Sequence, residues 1–293
     1  LALRGRKRKK VGKNNMHTAS HGVELKEKGY TKVNQYFSTA DIQSIHQKTK
    51  ESFTYYVKNI VRKINRGDED FRVDYRKENN QFLLDRMQYF IPFTDPLWKK
   101  AKNLLENTVN NDTFIYFKDR VIYGHPPEGG HGIHQDNFVD IHEQVAEHFY
   151  TVYIALTNTT ETTGALFVED SPIKTTKKIG FCDIGCSVGN PCSCLEAVNN
   201  PKDLYSFPTS NGTLTLKPIP LKKGDCLVFD GYLPHAVGTN LGNRIRKVMT
   251  FTFIKINENF DINNLDKKNQ STIKTLQRSM SQPYQRGLTN GRI

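Results

Sequence analysis

From residue 112 to residue 256 the chain reads again and again with the period of a β-strand. Phe114–Tyr123 alternates apolar and polar positions, Phe149–Leu156 is a β-branched and aromatic run, and Gly164–Val168 is short and apolar. Thr213–Ile219, Cys226–Phe229 and Val248–Ile254 continue the pattern. Side chains two apart share a sheet face, so these segments predict strands with one face turned to a core. Helical spacing is confined to the front of the chain. Ser38-Thr39-Ala40-Asp41 pairs a capping hydroxyl with an acid three residues on. Ile42, Ile45, Phe53, Tyr56, Val57, Ile60, Val61 and Ile64 follow, predicting one amphipathic helix of about seven turns that Gly67 ends. A weaker helix is expected after Asp95-Pro96, using Leu97, Ala101, Leu104 and Leu105. Helices first and antiparallel strands afterwards define a mainly β chain with supporting helices (α+β), a helix-braced sandwich or barrel.

Charge points less to function than its total suggests. The 293 residues hold 42 Lys and Arg against 30 Asp and Glu, a net charge of +12. Residues 1–13 carry seven cations and no acid, and residues 276–293 carry three cations and no acid. The body between them has 32 bases against 30 acids. A nearly neutral body without a recognisable nucleic-acid-binding signature argues against nucleic acid as the main partner, and the basic run RGRKRKK reads as an arm. No apolar run approaches the roughly 18 residues a membrane-spanning helix needs. Five cysteines argue against a fully paired disulfide framework. These features lead us to expect a soluble protein, intracellular or organellar rather than secreted, whose oligomeric state the sequence does not fix. Because residue 1 is Leu, a processed or trimmed chain is expected, with a removed targeting segment left open.

The chemistry concentrates in His134-Gln135-Asp136. Residues i and i+2 of an extended segment project to one side, so His134 and Asp136 can offer an imidazole nitrogen and a carboxylate oxygen to one metal ion. Leu233-Pro234-His235-Ala236, just after the strand CLVFD, supplies the best third ligand, and a turn at Gly231 is expected to expose it at a barrel mouth. Two His and one carboxylate leave three coordination positions open, as non-haem Fe(II) oxygenases require. Arg246 then leads into KVMTFTFIK, with Arg246, Val248, Thr250 and Thr252 at inward positions. A guanidinium there suits bidentate binding of a carboxylate. Arg244 lies on the same side by period-two counting and remains its rival.

Four segments, in order, resemble the phytanoyl-CoA dioxygenase family of Fe(II)/2-oxoglutarate oxygenases: KGYTKVNQYFSTADI, GIHQDN, TGALFVEDSP and LKKGDCLVFDGYLPHAVGTNLGNRIR, the last placing an Arg eleven residues beyond its His. The resemblance implies a double-stranded β-helix (jelly-roll, cupin-like) core and Fe(II) held by His134, Asp136 and His235. It makes Arg246, rather than Arg244, the clamp for the co-substrate 2-oxoglutarate, with O2 as oxidant. Together with the segment pattern it gives one domain over residues 23–275, with helical support at 38–110 and the core at 112–256, while the cysteine-rich loop at 171–210 is read from its Gly, Pro, Asn and Cys content. The arm 1–22 and the tail 276–293 flank it. Two departures matter. The family's usual Pro-Gly-Ser-His reads Glu169-Asp170-Ser171-Pro172, and the cysteine-rich loop is not part of the family pattern. Both fall near the expected substrate entrance, so substrate identity does not carry over.

Other residues near these motifs are candidates of a second order. Lys118 and Tyr153 are assigned to the co-substrate, and Tyr116, Arg120, His131 and Asn137 to the substrate. For Lys118 and Arg120, solvated strand charges are the competing reading. His125, His142 and His148 read as surface or supporting histidines. Cys182, Cys186, Cys192 and Cys194 form C-x3-C-x5-C-x-C, irregular for a zinc site. A structural metal, local disulfides and reduced thiols all stay open there. Cys226 reads as a small buried apolar residue. The expected activity is oxidation of a small, carboxylated or amino-acid-derived metabolite, hydroxylation by default. Oxidative cyclisation of the kainoid ring-closing type and a non-catalytic metal-binding jelly roll are the alternatives.

Overall fold

A computed structural model describes residues 14–66, 72–76, 80–85, 95–109, 114–127, 130–136, 146–169, 205–209 and 212–256. The expectations for residues 1–13, Asn137, His142, the four clustered cysteines and the tail 276–293 lie outside them. Two antiparallel sheets stack face to face. The larger contains β1 (Tyr30–Val33), β2 (Arg72–Arg76), β3 (Gln81–Asp85), β4 (Phe114–Gly124), β6 (Ala146–Ala155), β10 (Cys226–Asp230) and β12 (Arg246–Ile256), in the order β1-β10-β6-β12-β4-β3-β2. The smaller contains β5 (His131–His134), β7 (Leu166–Glu169), β8 (Tyr205–Thr209), β9 (Gly212–Ile219) and β11 (His235–Val237), in the order β5-β11-β7-β9-β8. This is the mainly β, helix-supported jelly roll that the alternating segments and the resemblance led us to expect.

Strict alternation along β12 divides the molecule into two layers. Met249, Phe251 and Phe253 are buried on the helix side, with Val121, Val152, Ile154 and Val228. Val248 is buried between the sheets, with Tyr153, Leu227, Phe229, Leu166 and Val168. Cys226 belongs to the helix side, and burial pushes its thiol up, as a small apolar core residue requires.

Helices α2 (Thr39–Arg66) and α3 (Pro96–Val109) brace the outer face. The Ser38 backbone N–H donates to Asp41 Oδ2 at 2.7 Å, and the Asp41 N–H donates to Ser38 Oγ at 3.2 Å, a reciprocal cap. Asp95 caps α3 through the Leu97 N–H at 2.9 Å. Tyr56, Val57, Ile60, Val61 and Ile64 of the expected stripe lie outside the described side chains, and over the described part of α2 the buried stripe differs from the expected one. Ile42, Ile45, Thr49 and Ser52 are buried, whereas Phe53 is 42% exposed and rests edge-on against Phe82. Thr49 and Ser52 tolerate burial because each hydroxyl donates to a carbonyl four residues back.

Four elements depart from the sequence reading. Helix α1 (Asn14–Lys28) begins inside the stretch expected to be an arm ending at residue 22. It is held by buried Leu25, and a Cβ on Gly22 would sit 2.7 Å from the Thr108 carbonyl, so glycine permits close contact with α3. The short strands β2 and β3 had no expected counterpart. Strand β8 occupies the end of what was expected to be a continuous loop over 171–210.

Candidate metal centre

The site lies between the sheets where β5 and β11 approach β6, β12 and β4. His134 ends β5 and stands directly opposite His235, the first residue of β11, which pairs on its other edge with Val168. The two imidazole rings are 4.1 Å apart, centroid to centroid. Asp136 follows in the turn after β5. One ligand atom from each of His134, Asp136 and His235 lies within 4.8 Å of the others. His235 is 4% exposed, so the turn after β10 carries it inward, against the expectation of an exposed mouth. That turn is set by Asp230, whose carbonyl accepts from Leu233 N–H at 2.9 Å and whose Oδ1 accepts from Tyr232 N–H at 2.8 Å.

The surroundings fit a metal ion. His235 Nδ1 lies 2.9 Å from the Leu233 carbonyl, which fixes its proton there and leaves Nε2 with a lone pair for the pocket. Burial pushes His235 down from its ordinary value, against the pull of Asp136, which favours the neutral, ligating imidazole. Burial pushes the Asp136 carboxyl up. The Lys118 ammonium, the His235 and His134 imidazoles and the Thr151 hydroxyl outweigh it and hold the group well below the carboxylate range. Thr151 Oγ1 donates to Asp136 Oδ2 at 3.0 Å and shares a 3.2 Å contact with Thr252. Gln135, between His134 and Asp136, donates to the Tyr232 carbonyl and so ties the Asp136 turn to the segment ahead of His235. The Phe229 ring covers His235 at 4.8 Å.

Arg246 opens β12 and lines the same pocket at 2% exposure. Its Nη1 donates to the buried Tyr153 hydroxyl at 3.3 Å, so these two expected co-substrate residues meet. Lys118, Arg120 and His131 also line the pocket, and the His131 ring lies 4.5 Å from His134. Two candidates fall elsewhere. Arg244 is exposed in a bend before β12, where period-two counting does not apply, and its carbonyl accepts from Asn240. Tyr116 is fully buried on the helix side, edge-on to Phe253. The cause is a bulge: Thr252 pairs with Lys118 but Phe253 pairs with Tyr116, so Phe117 is an extra residue and the alternation flips. Gln81, Leu83, Thr151 and Phe229 also line the pocket without having been expected there. The first two ride on β3, which is too short for periodicity to reveal.

Fold and site together define a jelly-roll oxygenase, with His134, Asp136 and His235 gathered in a pocket that the buried Arg246 also lines. The model of the phytanoyl-CoA dioxygenase (PhyH) family matches residues 25–169 and 199–248. The chain belongs to this family and is an Fe(II)/2-oxoglutarate-dependent oxygenase of its type. Among curated proteins none matches it in sequence. In fold it is similar to SnoK, a non-haem α-ketoglutarate-dependent carbocyclase from nogalamycin biosynthesis, with a TM-score of 0.55 and 11% identity over 84% of this chain and 85% of that one. It is likewise similar to the epimerase SnoN of the same biosynthesis, with a TM-score of 0.52 and 11% identity over 82% and 84%. EvdO2 from Micromonospora carbonacea var. aurantiaca, complexed with 2-oxoglutarate, has a TM-score of 0.51 and 14% identity over 80% and 90%. No described helix is long and apolar enough to cross a membrane.

Proposed function

We propose that the protein oxidises a C–H bond of a small, carboxylated or amino-acid-derived metabolite, with hydroxylation as the default outcome. The observation that carries this reading is the convergence of His134, Asp136 and His235 within 4.8 Å in a pocket that Arg246 also lines. His134, Asp136 and His235 hold Fe(II). The Arg246 guanidinium receives the distal carboxylate of 2-oxoglutarate, steadied by Tyr153. When bound, iron, 2-oxoglutarate and O2 together supply the oxidising power, with release of succinate and CO2.

The chain itself contributes placement. Thr151 orients Asp136 while the Lys118 charge favours its ionised form, and the Leu233 carbonyl fixes the His235 tautomer. Leu166, Val237, Ile122 and Phe229 give the pocket an apolar wall that limits water around the reacting bond. Arg120 and His131 line the pocket and give it donors suited to an anionic group of the substrate, which favours a carboxylated metabolite over a bare lipid. The fold does not choose between outcomes, since the neighbours named above include an epimerase and a carbocyclase. The reading is tested by incubating the Fe(II)-loaded protein with 2-oxoglutarate and a panel of amino acids and other carboxylated metabolites. Succinate release with a product gaining one oxygen atom supports hydroxylation. A product lacking two hydrogens supports ring closure. Uncharged lipids stimulating succinate release while no carboxylate does would overturn the substrate class.

A further inference from the structure

We infer that Asn240 and Gly164 form the seat that aims Arg246, making them positioning residues for the co-substrate's distal carboxylate; this rests on the reading of Arg246 above. Asn240 is fully buried, although asparagine is ordinarily a surface residue. Its Nδ2 donates to the carbonyls of Gly124, at 3.1 Å, and Arg244, at 2.9 Å, while Oδ1 accepts from the Gly242 N–H at 3.1 Å. Gly124 is the residue directly opposite Arg246 in the β4–β12 ladder. Arg244 lies two residues before Arg246. A single carboxamide therefore joins the cross-strand partner of Arg246 to the loop that delivers it. That matters because Arg246 is the first residue of its strand, where the ladder anchors it from one side only.

Asn240 is itself held by the segment that touches the arginine. It forms a bridge with Thr163, and the Leu241 N–H donates to the Thr162 carbonyl at 2.9 Å. The next residue, Gly164, has φ +82°, a conformation that favours glycine. A Cβ there would sit 2.5 Å from Arg246 Cδ and 2.9 Å from Nε, closer than real contacts allow. The stem of Arg246 thus lies across the bare face of Gly164. A methyl group at that point would displace the stem and swing the guanidinium away from Tyr153. Neither Asn240 nor Gly164 is among the described residues lining the pocket, so both act through Arg246.

The test measures binding rather than turnover. Mn(II)-loaded protein is titrated calorimetrically with 2-oxoglutarate and, separately, with pyruvate, which has the same chelating 2-oxo acid but no distal carboxylate. The ratio of the two affinities isolates the Arg246 interaction. Asn240→Ala, Asn240→Asp and Gly164→Ala should each lower that ratio about tenfold, the scale of one lost charge-assisted hydrogen bond. Mn(II) and pyruvate affinities should stay unchanged. Asn240→Asp preserves size and the acceptor for Gly242 but sets a carboxylate oxygen against the Gly124 and Arg244 carbonyls, so it should lower the ratio at least as far as the alanine variant. Should Gly164→Ala fail to fold, the two Asn240 variants decide the matter. A wild type without preference for 2-oxoglutarate sinks the reading of Arg246 itself. The seat alone is overturned if the wild type shows the preference, Arg246→Ala loses it, and folded Asn240 variants keep it. It is equally overturned if those variants weaken both acids alike.

Discussion

His134 and His235 stand directly opposite one another in the β5–β11 ladder, with ring centroids 4.1 Å apart. Residues 101 positions apart in sequence are thereby brought side by side by backbone pairing rather than by loop conformation. Replacing His134 with alanine removes a proposed ligand without opening the core. Metal affinity should fall by at least about 100-fold, beyond what loss of a supporting partner causes. Calorimetric titration with Mn(II) measures it, and an unchanged affinity would place the metal elsewhere.

Thr151→Val preserves shape but removes the hydroxyl that donates to Asp136 Oδ2. The carboxylate then loses its orienting partner, and Mn(II) affinity should drop roughly tenfold. The melting temperature of the metal-free protein should move far less than the affinity. A variant that binds metal as tightly as the wild type would contradict an orienting role for the Thr151 hydroxyl.

Asp225 ties the start of β10 to the segment after β1. Its Oδ1 accepts from the Gln35 N–H at 2.9 Å and its Oδ2 from the Lys222 N–H at 2.9 Å, with Lys32 at 3.6 Å. Burial pushes this carboxyl up, but the hydrogen bonds and Lys32 outweigh it and leave it below its ordinary value. The stability it contributes is therefore complete above the unfolded carboxylate value of about 3.9 and is lost as pH falls through the lower folded value. Asp225→Asn should cost roughly 1–3 kcal/mol at neutral pH. The gap between the two proteins, followed by thermal melts from pH 7 to pH 3, should narrow in the acid limb; a constant gap contradicts the ionic contribution.

Phe251 points from β12 into the helix layer, away from Thr250 and Thr252 on the pocket side. Phe251→Ala should destabilise the fold by about 3–5 kcal/mol through lost contacts and a cavity. Urea denaturation reads the loss. Metal affinity of the protein that remains folded should be unchanged, since the two faces of the strand carry separate duties.

The parts of this molecule legible in sequence are those with long local signals. The alternation of Phe114–Tyr123 and Val248–Ile254 foretold β4 and β12, and the Ser38–Asp41 cap foretold the start of α2. The convergence of His134, Asp136 and His235 was legible because residue type and order carry it. Residues whose place depends on pairing were not. Tyr116 follows its alternation until the bulge at Phe117 turns it away from the pocket. Gln81 and Leu83 sit on a five-residue strand. The partnership of Thr151 with Asp136 exists only once β6 lies beside the turn after β5. Arg244 was misjudged because period-two counting was extended past the first residue of β12.

The most direct measurement is an anaerobic titration of the wild-type protein with Fe(II) and 2-oxoglutarate, followed by visible absorption. Chelation of the 2-oxo acid to iron on a His-Asp-His face should produce a weak charge-transfer band that His134→Ala abolishes. Arg246→Ala should reach the same band only at about 100-fold higher 2-oxoglutarate, as loss of a charge-assisted bidentate contact requires. A wild type that shows no such band, or an Arg246→Ala protein that saturates at the wild-type concentration, contradicts the account.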